Sequence, residues 1–250
     1  MPNSSRNDGL AGAKPEKETM KRFISAQRYY STWHYFLRAV VPLLASMRVR
    51  GREHIPRHGP VLLVGNHISL ADPPVLLAYV RRHVHFMVKA ELFEQKPMSF
   101  IMPPGDPIKV HRGKVDRTAL RAAEEYLKQG EVIAIYAEGT RNRTGAAQEA
   151  RAGVVFLAQR TGAPMVPVAI SGTERVFSKR FPWFRRTRIN LTFGRPFRVE
   201  DLGLPPKADR SEVAYAIMGR VASLLPPQYQ GIYRLREDAA VPPEPVPQDA

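Results

Sequence analysis

The chain of 250 residues contains no cysteine. This absence excludes disulfides, thiolate metal sites and cysteine nucleophiles, and it fits a protein that faces the cytosol. The chain also lacks a run of about 18 uncharged apolar residues, because Arg38 and Pro42 interrupt its best stretch at 36–47. The N-terminal residues 1–22 contain no apolar signal-peptide core. We therefore expect neither a membrane-spanning helix nor a secretory signal.

Several motifs of known chemistry are missing as well. No G-x-S-x-G nucleophile elbow occurs, which argues against an ordinary α/β-hydrolase. The loop "YAEGTRNRTG" at 136–145 is not a Walker loop, because no lysine follows its glycines at the required spacing. His83 and His85 alternate on a predicted strand and could share a face, but the sequence offers no further ligand. We expect no metal site and no bound cofactor.

Acidic residues are few in comparison with basic ones. The chain has 38 Lys and Arg against 23 Asp and Glu, a formal net charge of +15. Such a charge attracts polyanions, which include nucleic acid, anionic lipid headgroups and phosphorylated ligands. The stretch "FSKRFPWFRRTR" at 177–188 fits a solvated loop or a loop that inserts rings among headgroups. No nucleic-acid fold signature accompanies it, so we expect no nucleic-acid partner.

Both ends of the chain differ from its middle. Residues 1–19 are polar, and the proline-rich end at 238–250 has little to bury, so we expect both to be disordered tails. Between 20 and 48, apolar residues recur at spacings of three and four and predict an amphipathic helical element that Pro42 kinks or divides. This element could pack on the domain, lie in a membrane interface, or do both.

Residues 49–237 alternate between apolar strand patterns and helical patterns. The predicted strands are 60–66, 83–88, 107–110, 132–136, 165–170 and 188–194. The predicted helices are 72–82, 116–130, 150–162 and 211–227. This alternation predicts one α/β domain with a mostly parallel central sheet flanked by helices.

Polar residues follow several of the predicted strands. His67, Arg112, and the pair Glu138 and Arg141 each come shortly after an apolar run. If those strands are parallel, their carboxyl ends share one edge of the sheet, where ligands bind in such folds. Arg141 and Arg143 are suited to phosphate, because a guanidinium is permanently charged and donates in pairs. We expect an active site at this edge.

The pair His67 and Asp72 allows two interpretations. Asp72 stands before Pro73, so it could be the N-cap of a helix whose first residue is proline. Two residues five positions apart cannot lie on the same face of a helix, but a tight loop could bring their side chains together. The helix start would then favour the charged carboxylate, which could accept from one imidazole nitrogen. The other nitrogen would be free to act as a general base.

Four blocks in this order resemble the glycerolipid acyltransferases, typified by the 1-acylglycerol-3-phosphate acyltransferases. "NHISLADP" resembles their H-x-x-x-x-D block, and "AEGTRNR" resembles their Glu-Gly-Thr-Arg block. "PIKVHRG" looks like the intervening block that ends in arginine, and "VPVAI" looks like the fourth block. The resemblance covers about residues 50–200.

The resemblance implies a peripheral membrane enzyme on the cytoplasmic face. His67 would deprotonate the sn-2 hydroxyl of lysophosphatidate, and Asp72 would orient His67. The hydroxyl would attack the thioester of acyl-CoA or an acyl carrier protein, giving phosphatidate. The partners would be this donor, a lysophospholipid acceptor and an anionic membrane surface. The residues implied to bind the acceptor are Arg112, Glu138, Gly139, Thr140 and Arg141, with Asn66 as a weaker candidate for site support.

The sequence departs from the family pattern in the acceptor blocks. Tyr136 and Ala137 stand where Phe-Pro is usual, and His111 stands where Asp or Asn often precedes the arginine. These departures leave open another lysophospholipid, glycerol 3-phosphate or a glycolipid as the acceptor. From a different class, a non-catalytic protein that binds anionic membranes or nucleic acid would explain the charge, but it would leave the four ordered blocks unexplained.

Overall fold

The structure is a computed structural model. It describes residues 13–93, 107–111, 116–142, 144–176, 187–205 and 207–234, with only the backbone for 13–28. The tail predicted at 238–250 lies outside these residues, and so does most of the basic and aromatic stretch at 177–188. Within the described residues, no helix is both long enough and apolar enough to cross a bilayer.

A mixed sheet of seven strands forms the centre of the described chain. Its spatial order is β1-β7-β6-β2-β5-β3-β4. The strands β6, β2, β5, β3 and β4 are parallel neighbours, whereas β7 runs antiparallel to β6 and parallel to β1. This confirms the predicted α/β class with a mostly parallel sheet. The bounds are β1 Ala45–Arg50, β2 Val61–Gly65, β3 Val84–Lys89, β4 Ile108–Val110, β5 Val132–Tyr136, β6 Met165–Ser171 and β7 Thr187–Phe193.

Helices cover both faces of this sheet, and their ends follow local sequence signals. Asp116 caps its helix by accepting from the backbone amide of Ala119, and Gly162 ends the next one at a φ of 57°. Asp209 and Glu212 form a capping box at the start of the last helix. The bounds are α1 Ala13–Leu44, α2 Asp72–Tyr79, α3 Arg117–Lys128, α4 Ala152–Thr161 and α5 Arg210–Ala222.

Two apolar cores lie on opposite faces of the sheet. One joins α3, α4 and α5 to alternate residues of the central strands, such as Leu62 and Val64. The other joins α1 and α2 to the intervening residues, such as Leu63 and Val166. All five residues of β2 are buried, as expected of a central parallel strand covered on both sides. The carboxyl end of β2 is therefore held firmly in place.

The N-terminal element differs from its predicted bounds. Helix α1 begins at Ala13, inside the stretch predicted as a loose tail, and it ends two residues after Pro42. The prediction of helix up to residue 48 was wrong, because residues 45–50 form β1 and pair with β7 along their whole length. Met47 therefore belongs to a strand. A helical pattern in the sequence could not reveal this pairing, since the partner lies more than a hundred residues away.

Helix α1 presents two different faces. Tyr30, His34 and Val41 are buried, and the Nδ1 atom of His34 lies 2.8 Å from the carbonyl oxygen of Leu77 in α2. These residues dock the helix on the domain. Other large apolar residues of the same helix remain more than half exposed: Tyr29, Tyr35, Phe36, Leu43 and Leu44. The helix thus packs on the domain and still leaves an apolar surface uncovered.

Candidate active site

Strand β2 leads directly into the candidate site. Asn66 follows the last residue of the strand and extends its pairing with β6, because its side chain donates to Ile170 O at 2.8 Å and accepts from Ile170 N at 2.9 Å. The side-chain amide thus replaces a backbone pairing at the strand end. His67 is consequently placed just beyond the carboxyl edge of the sheet. This anchoring is consistent with the supporting role expected of Asn66.

His67 and Asp72 are hydrogen-bonded. The Nδ1 atom of His67 lies 2.7 Å from Oδ2 of Asp72, and the two residues are 8% and 0% exposed. The same carboxyl oxygen accepts from the backbone amides of Ile68 and Ser69, both at 2.8 Å. The other oxygen accepts from the hydroxyl of Thr173 at 2.6 Å. Four donors therefore hold the Asp72 carboxylate in a single orientation, and that carboxylate holds the imidazole.

The interpretation of Asp72 as an N-cap is wrong. Asp72 is the first residue of α2, and Ala71 occupies the cap position without a side-chain hydrogen bond. A capping side chain accepts from the amides two or three positions later, but Pro73 and Pro74 have no N–H to donate. The amide of Val75 already donates to Ala71 O at 3.0 Å. The prolines thus leave the Asp72 carboxylate free to turn back toward His67.

Tyr136, the last residue of β5, packs against the catalytic candidate. Its ring stacks on the imidazole of His67 with centroids 4.2 Å apart and planes inclined by 14°. Burial and the nearby charge of Asp72 raise the pKa of its phenol well above the ordinary value. Tyr136, one of the residues that depart from the family pattern, therefore limits the motion of the His67 ring together with Asp72.

Glu138 lies behind His67 and is 3% exposed. Its Oε1 atom accepts from the backbone amide of His67 at 3.2 Å, while Oε2 is buried without a hydrogen-bond partner among the described residues. Burial raises the pKa of this carboxyl to about 7, against the lowering effect of amides from His67 and Gln148, and the charge of Asp72 raises it further. Glu138 therefore titrates near neutral pH.

The loop after Glu138 turns tightly. Gly139 has a φ of 66°, and a Cβ atom there would lie 2.7 Å from Cδ of Arg151, so glycine suits both the backbone and the packing. Arg151 also donates from its Nε to Glu138 O at 3.4 Å. The backbone amide of Asn142 donates to His67 O at 2.8 Å and so ties the end of this loop to the His67 loop.

The structure describes only some of the remaining predicted site residues. Thr140 is half-buried, and the Arg141 side chain is exposed to solvent on the loop between Glu138 and Asn142. Arg112 and Arg143 lie outside the described residues. The structure thus brings His67 into contact with both Asp72 and Glu138 and places Thr140 and Arg141 on the adjoining loop. Their chemical roles stay predictions.

Several site residues were not predicted from the sequence. Thr173, which donates to Asp72, is fully buried and follows β6. The expectation of a site at the carboxyl ends of the strands could have included it, because it comes two residues after the end of an apolar strand. Asn142 and Arg151 had no such signal, since their contribution depends on how the loop folds back on the sheet.

A second histidine cluster lies at the amino ends of β3 and β5. His83, His85 and Glu131 bring one potential ligand atom each to within 4.8 Å of one another. The Nε2 atom of His85 lies 4.0 Å from a carboxyl oxygen of Glu131. Glu131 is the further candidate ligand that was not evident in the sequence. The cluster lies at the opposite edge of the sheet from His67.

A family model named Acyltransferase matches residues 46–171, which run from β1 to the end of β6. The chain belongs to the acyltransferase family. It shares 26% identity with the 1-acyl-sn-glycerol-3-phosphate acyltransferase of Bacillus subtilis over 75% of this chain and 92% of that protein. It shares 30% with that of Borreliella burgdorferi, over 52% of this chain and 53% of the relative.

A solved structure has the same fold as this acyltransferase. The structure is the 1-acyl-sn-glycerophosphate (LPA) acyltransferase PlsC from Thermotoga maritima. It matches at a TM-score of 0.60 and 25% identity, covering 81% of this chain and 82% of the other. The matched family region contains His67, Asp72 and residues 138–141, whereas Thr173 lies just beyond its end. Membership makes the protein an enzyme that moves an acyl group from a donor to an acceptor.

Proposed function

We propose that this acyltransferase transfers a fatty-acyl group to the sn-2 hydroxyl of lysophosphatidate and so forms phosphatidate. The hydrogen bond of 2.7 Å between His67 and Asp72 carries the proposal. It fixes the Nδ1 position of the imidazole, so that Nε2 is the nitrogen left to take a proton. The names of the relatives, all 1-acyl-sn-glycerol-3-phosphate acyltransferases, support the acceptor.

The proposed reaction has a single transfer step. The acceptor hydroxyl gives its proton to Nε2 of His67 while its oxygen attacks the thioester carbonyl of acyl-CoA or an acyl carrier protein. The tetrahedral intermediate collapses with cleavage of the C–S bond, and the imidazolium returns the proton to the leaving thiolate. The products are the ester and the free thiol. The chemistry requires no metal, bound cofactor or covalent acyl-enzyme, since the donor is already activated.

The loop at 138–141 would bind the phosphate of the acceptor. Arg141 is exposed and forms no ion pair with any described residue, so its guanidinium is available for an anion. Glu138 would repel a phosphate when charged, but its raised pKa keeps part of the population neutral near pH 7. The Glu138 side chain and the Asn142 amide both hydrogen-bond to the backbone of His67, so the loop adjoins that residue, which supports the proposal.

The enzyme would work at the surface of an anionic membrane, on its cytoplasmic face. The exposed aromatic and leucine side chains of α1 and the net charge of +15 support this location. Such a helix would hold the site near acceptors that reside in the bilayer. Deletion of residues 1–44 should reduce flotation with anionic liposomes, and undiminished flotation would move the anchor to the basic stretch at 177–188.

An acceptor panel tests the proposed function. Purified enzyme is given one radiolabelled acyl-CoA and, in turn, lysophosphatidate, other lysophospholipids, glycerol 3-phosphate and a glycolipid. We expect lysophosphatidate to give the highest kcat/KM by at least about tenfold. A higher value for any other acceptor would overturn the assignment.

Arg141→Gln should raise the KM for the phosphorylated acceptor, with Arg121→Gln on the exposed face of α3 as a control of equal charge change.

A further inference from the structure

A basic groove lies on the sheet beside the candidate active site. It has a volume of about 460 Å³, and its floor is formed by neighbouring strands β1, β7 and β6. We call it the arginine groove. Its polar lining consists of Arg48, Arg50, Arg188, Ser171, Asn190 and Thr192.

The strand pattern explains why this face is open. Along β7, Ile189, Leu191 and Phe193 are buried in the core that faces α1 and α2, whereas the alternate residues point to the other side. Leu224 and Leu225, just past the end of α5, form one wall of the groove. The helix thus borders the β1 and β7 floor instead of covering it.

The charge of the groove is of one sign. A solvent-facing sheet surface requires polar residues, but it does not require that all charged ones be cationic. Among the residues that the structure describes, no acidic one lines the groove. None of its three arginines forms an ion pair with a carboxylate in the described part of the chain. Three arginines on adjacent strands repel one another, and a bound anion would relieve that repulsion.

The groove is continuous with the site through the end of β6. Ser171, the last residue of that strand, accepts from Nδ2 of Asn190 at 3.2 Å inside the groove. Two residues later, Thr173 donates to Asp72. Arg188 is the second residue of β7, which runs antiparallel to β6, so it lies at the same edge of the sheet as His67.

The strand order places two cationic regions on opposite sides of His67. His67 follows the central strand β2, and the loop proposed for the acceptor phosphate follows β5 on one side. The arginine groove lies on the other side, across β6. With about 4.8 Å between strands, β7 and β1 are roughly 10 and 14 Å from β2. A donor thioester at His67 could therefore extend a pantetheine arm toward these arginines.

We propose that the arginine groove binds the phosphate groups of the acyl donor. Bidentate contacts from Arg48 and Arg188 would hold phosphate oxygens attached to the pantetheine arm. This chemistry is common to the nucleotide of CoA and to the phosphopantetheine of an acyl carrier protein. The inference rests on the proposed function for its donor class. It gives each of the two anionic substrates a cationic region of its own, one on either side of the general base.

The double variant Arg48→Gln/Arg188→Gln tests the proposal. Its matched control is Arg117→Gln/Arg121→Gln, which removes the same charge from exposed positions on α3. With lysophosphatidate saturating, the groove variant should raise the KM for acyl-CoA or for the acyl carrier protein by at least about tenfold, while kcat stays within about twofold. The KM for lysophosphatidate should stay the same. The control should leave all three constants unchanged.

Direct binding separates this proposal from the proposed function. Free CoA and the phosphopantetheinylated carrier protein are titrated by calorimetry into wild type, the groove variant and the control. If only the groove variant loses binding to either ligand, the result supports the arginine groove as the site of the donor phosphates. This holds even if lysophosphatidate proves not to be the acceptor. Equal affinity in all three proteins for every ligand that binds overturns it. It is also overturned if the groove variant changes only the KM for lysophosphatidate or the flotation with liposomes, since the arginines then bind lipid headgroups.

Discussion

His67 and His85 lie at opposite edges of the same sheet, and their surroundings are alike in two respects. Each imidazole stacks on a tyrosine: His67 on Tyr136 at 4.2 Å and His85 on Tyr126 at 3.8 Å. Each is at least nine-tenths buried. They differ in the carboxylate, which is 2.7 Å away for His67 and 4.0 Å away for His85.

The role proposed for His67 as general base rests on this difference and not on burial of the imidazole alone. Three donors other than His67 hold Asp72, and Asp72 in turn holds one nitrogen of His67 at hydrogen-bond distance. Glu131 lies beyond hydrogen-bond distance of His85, which is packed between Tyr126 and the ring of His83. His67 is also at the carboxyl edge of the parallel strands, where loops can bring in substrate. Stacking and burial alone do not distinguish the two histidines.

Replacement of His67 by Ala should have the largest effect. Loss of the general base should lower kcat at least about 10³-fold, measured with acyl-CoA and lysophosphatidate. The control is His85→Gln, which should keep kcat within about threefold and lose about 1–2 kcal/mol of stability. Comparable losses in the two variants would show that the contrast between the edges has no catalytic meaning.

Replacement of Asp72 by Asn should come next. The amide keeps the size of the side chain but presents an NH₂ group to donors, and it no longer fixes the imidazole through a charge. We expect a loss in kcat of about 10²- to 10³-fold with a modest change in KM. Glu131→Gln, the equivalent change at the other edge, should be close to neutral. An active Asp72→Asn enzyme would remove Asp72 from the mechanism.

The Thr173→Val variant tests one of the four donors to Asp72. Valine has nearly the shape of threonine but no hydroxyl, so the carboxylate loses one hydrogen bond and gains freedom to rotate. The expected loss in kcat is about tenfold, with unchanged KM for either substrate. Because a merely structural residue would not require the hydroxyl, Thr173→Ser should restore most of the activity. Equal defects in the Val and Ser variants would contradict the positioning role.

Glu138→Gln should change the pH dependence of the KM for lysophosphatidate more than it changes kcat. Since the pKa of Glu138 is raised to about 7, its charge appears as the pH rises through neutrality and would repel the phosphate of the proposed acceptor. The KM for lysophosphatidate should increase a few-fold between about pH 6 and pH 8 in wild type, and it should increase less in the variant. Identical profiles in wild type and variant would show that Glu138 does not face the phosphate.

The raised pKa of Glu138 also makes the stability of the fold depend on pH. The unfolded carboxyl loses its proton near its ordinary value of 4.5, whereas the folded one keeps it up to about 7. Its contribution to stability is therefore complete below the lower value and is lost as the pH rises through the higher one. Denaturation of Glu138→Gln across this range should show a smaller decline in stability than wild type.

Chelation should have the smallest effect. The ligand atoms of His83, His85 and Glu131 converge at the amino edge, but the proposed chemistry at His67 requires no metal. Treatment with EDTA should leave kcat within about twofold, as measured before and after addition of zinc. A loss of kcat that zinc reverses would show that the second histidine cluster contributes to activity. The two edges of the sheet would then no longer differ in function.

The sequence alone was informative wherever a signal is local. The apolar runs predicted six strands of the sheet, and Asp116 and Gly162 marked helix ends that the structure confirms. The family blocks pointed to His67, Asp72 and residues 138–141. The sequence missed strand β1, because its partner β7 lies more than a hundred residues away. The N-cap interpretation of Asp72 was wrong for a local reason, because the following prolines have no N–H to donate and the carboxylate accepts from Ile68 and Ser69 instead.

The linear order of residues thus determined the class of fold, the family and the candidate general base, because periodicity and short motifs are properties of neighbouring residues. Tertiary structure decided what surrounds that base. It brought Thr173 from the end of β6 to Asp72 and stacked Tyr136 on the imidazole. It also placed Arg48 and Arg188 on one face although they are far apart in the sequence. Such contacts arise from strand order in the sheet, which sequence spacing does not specify.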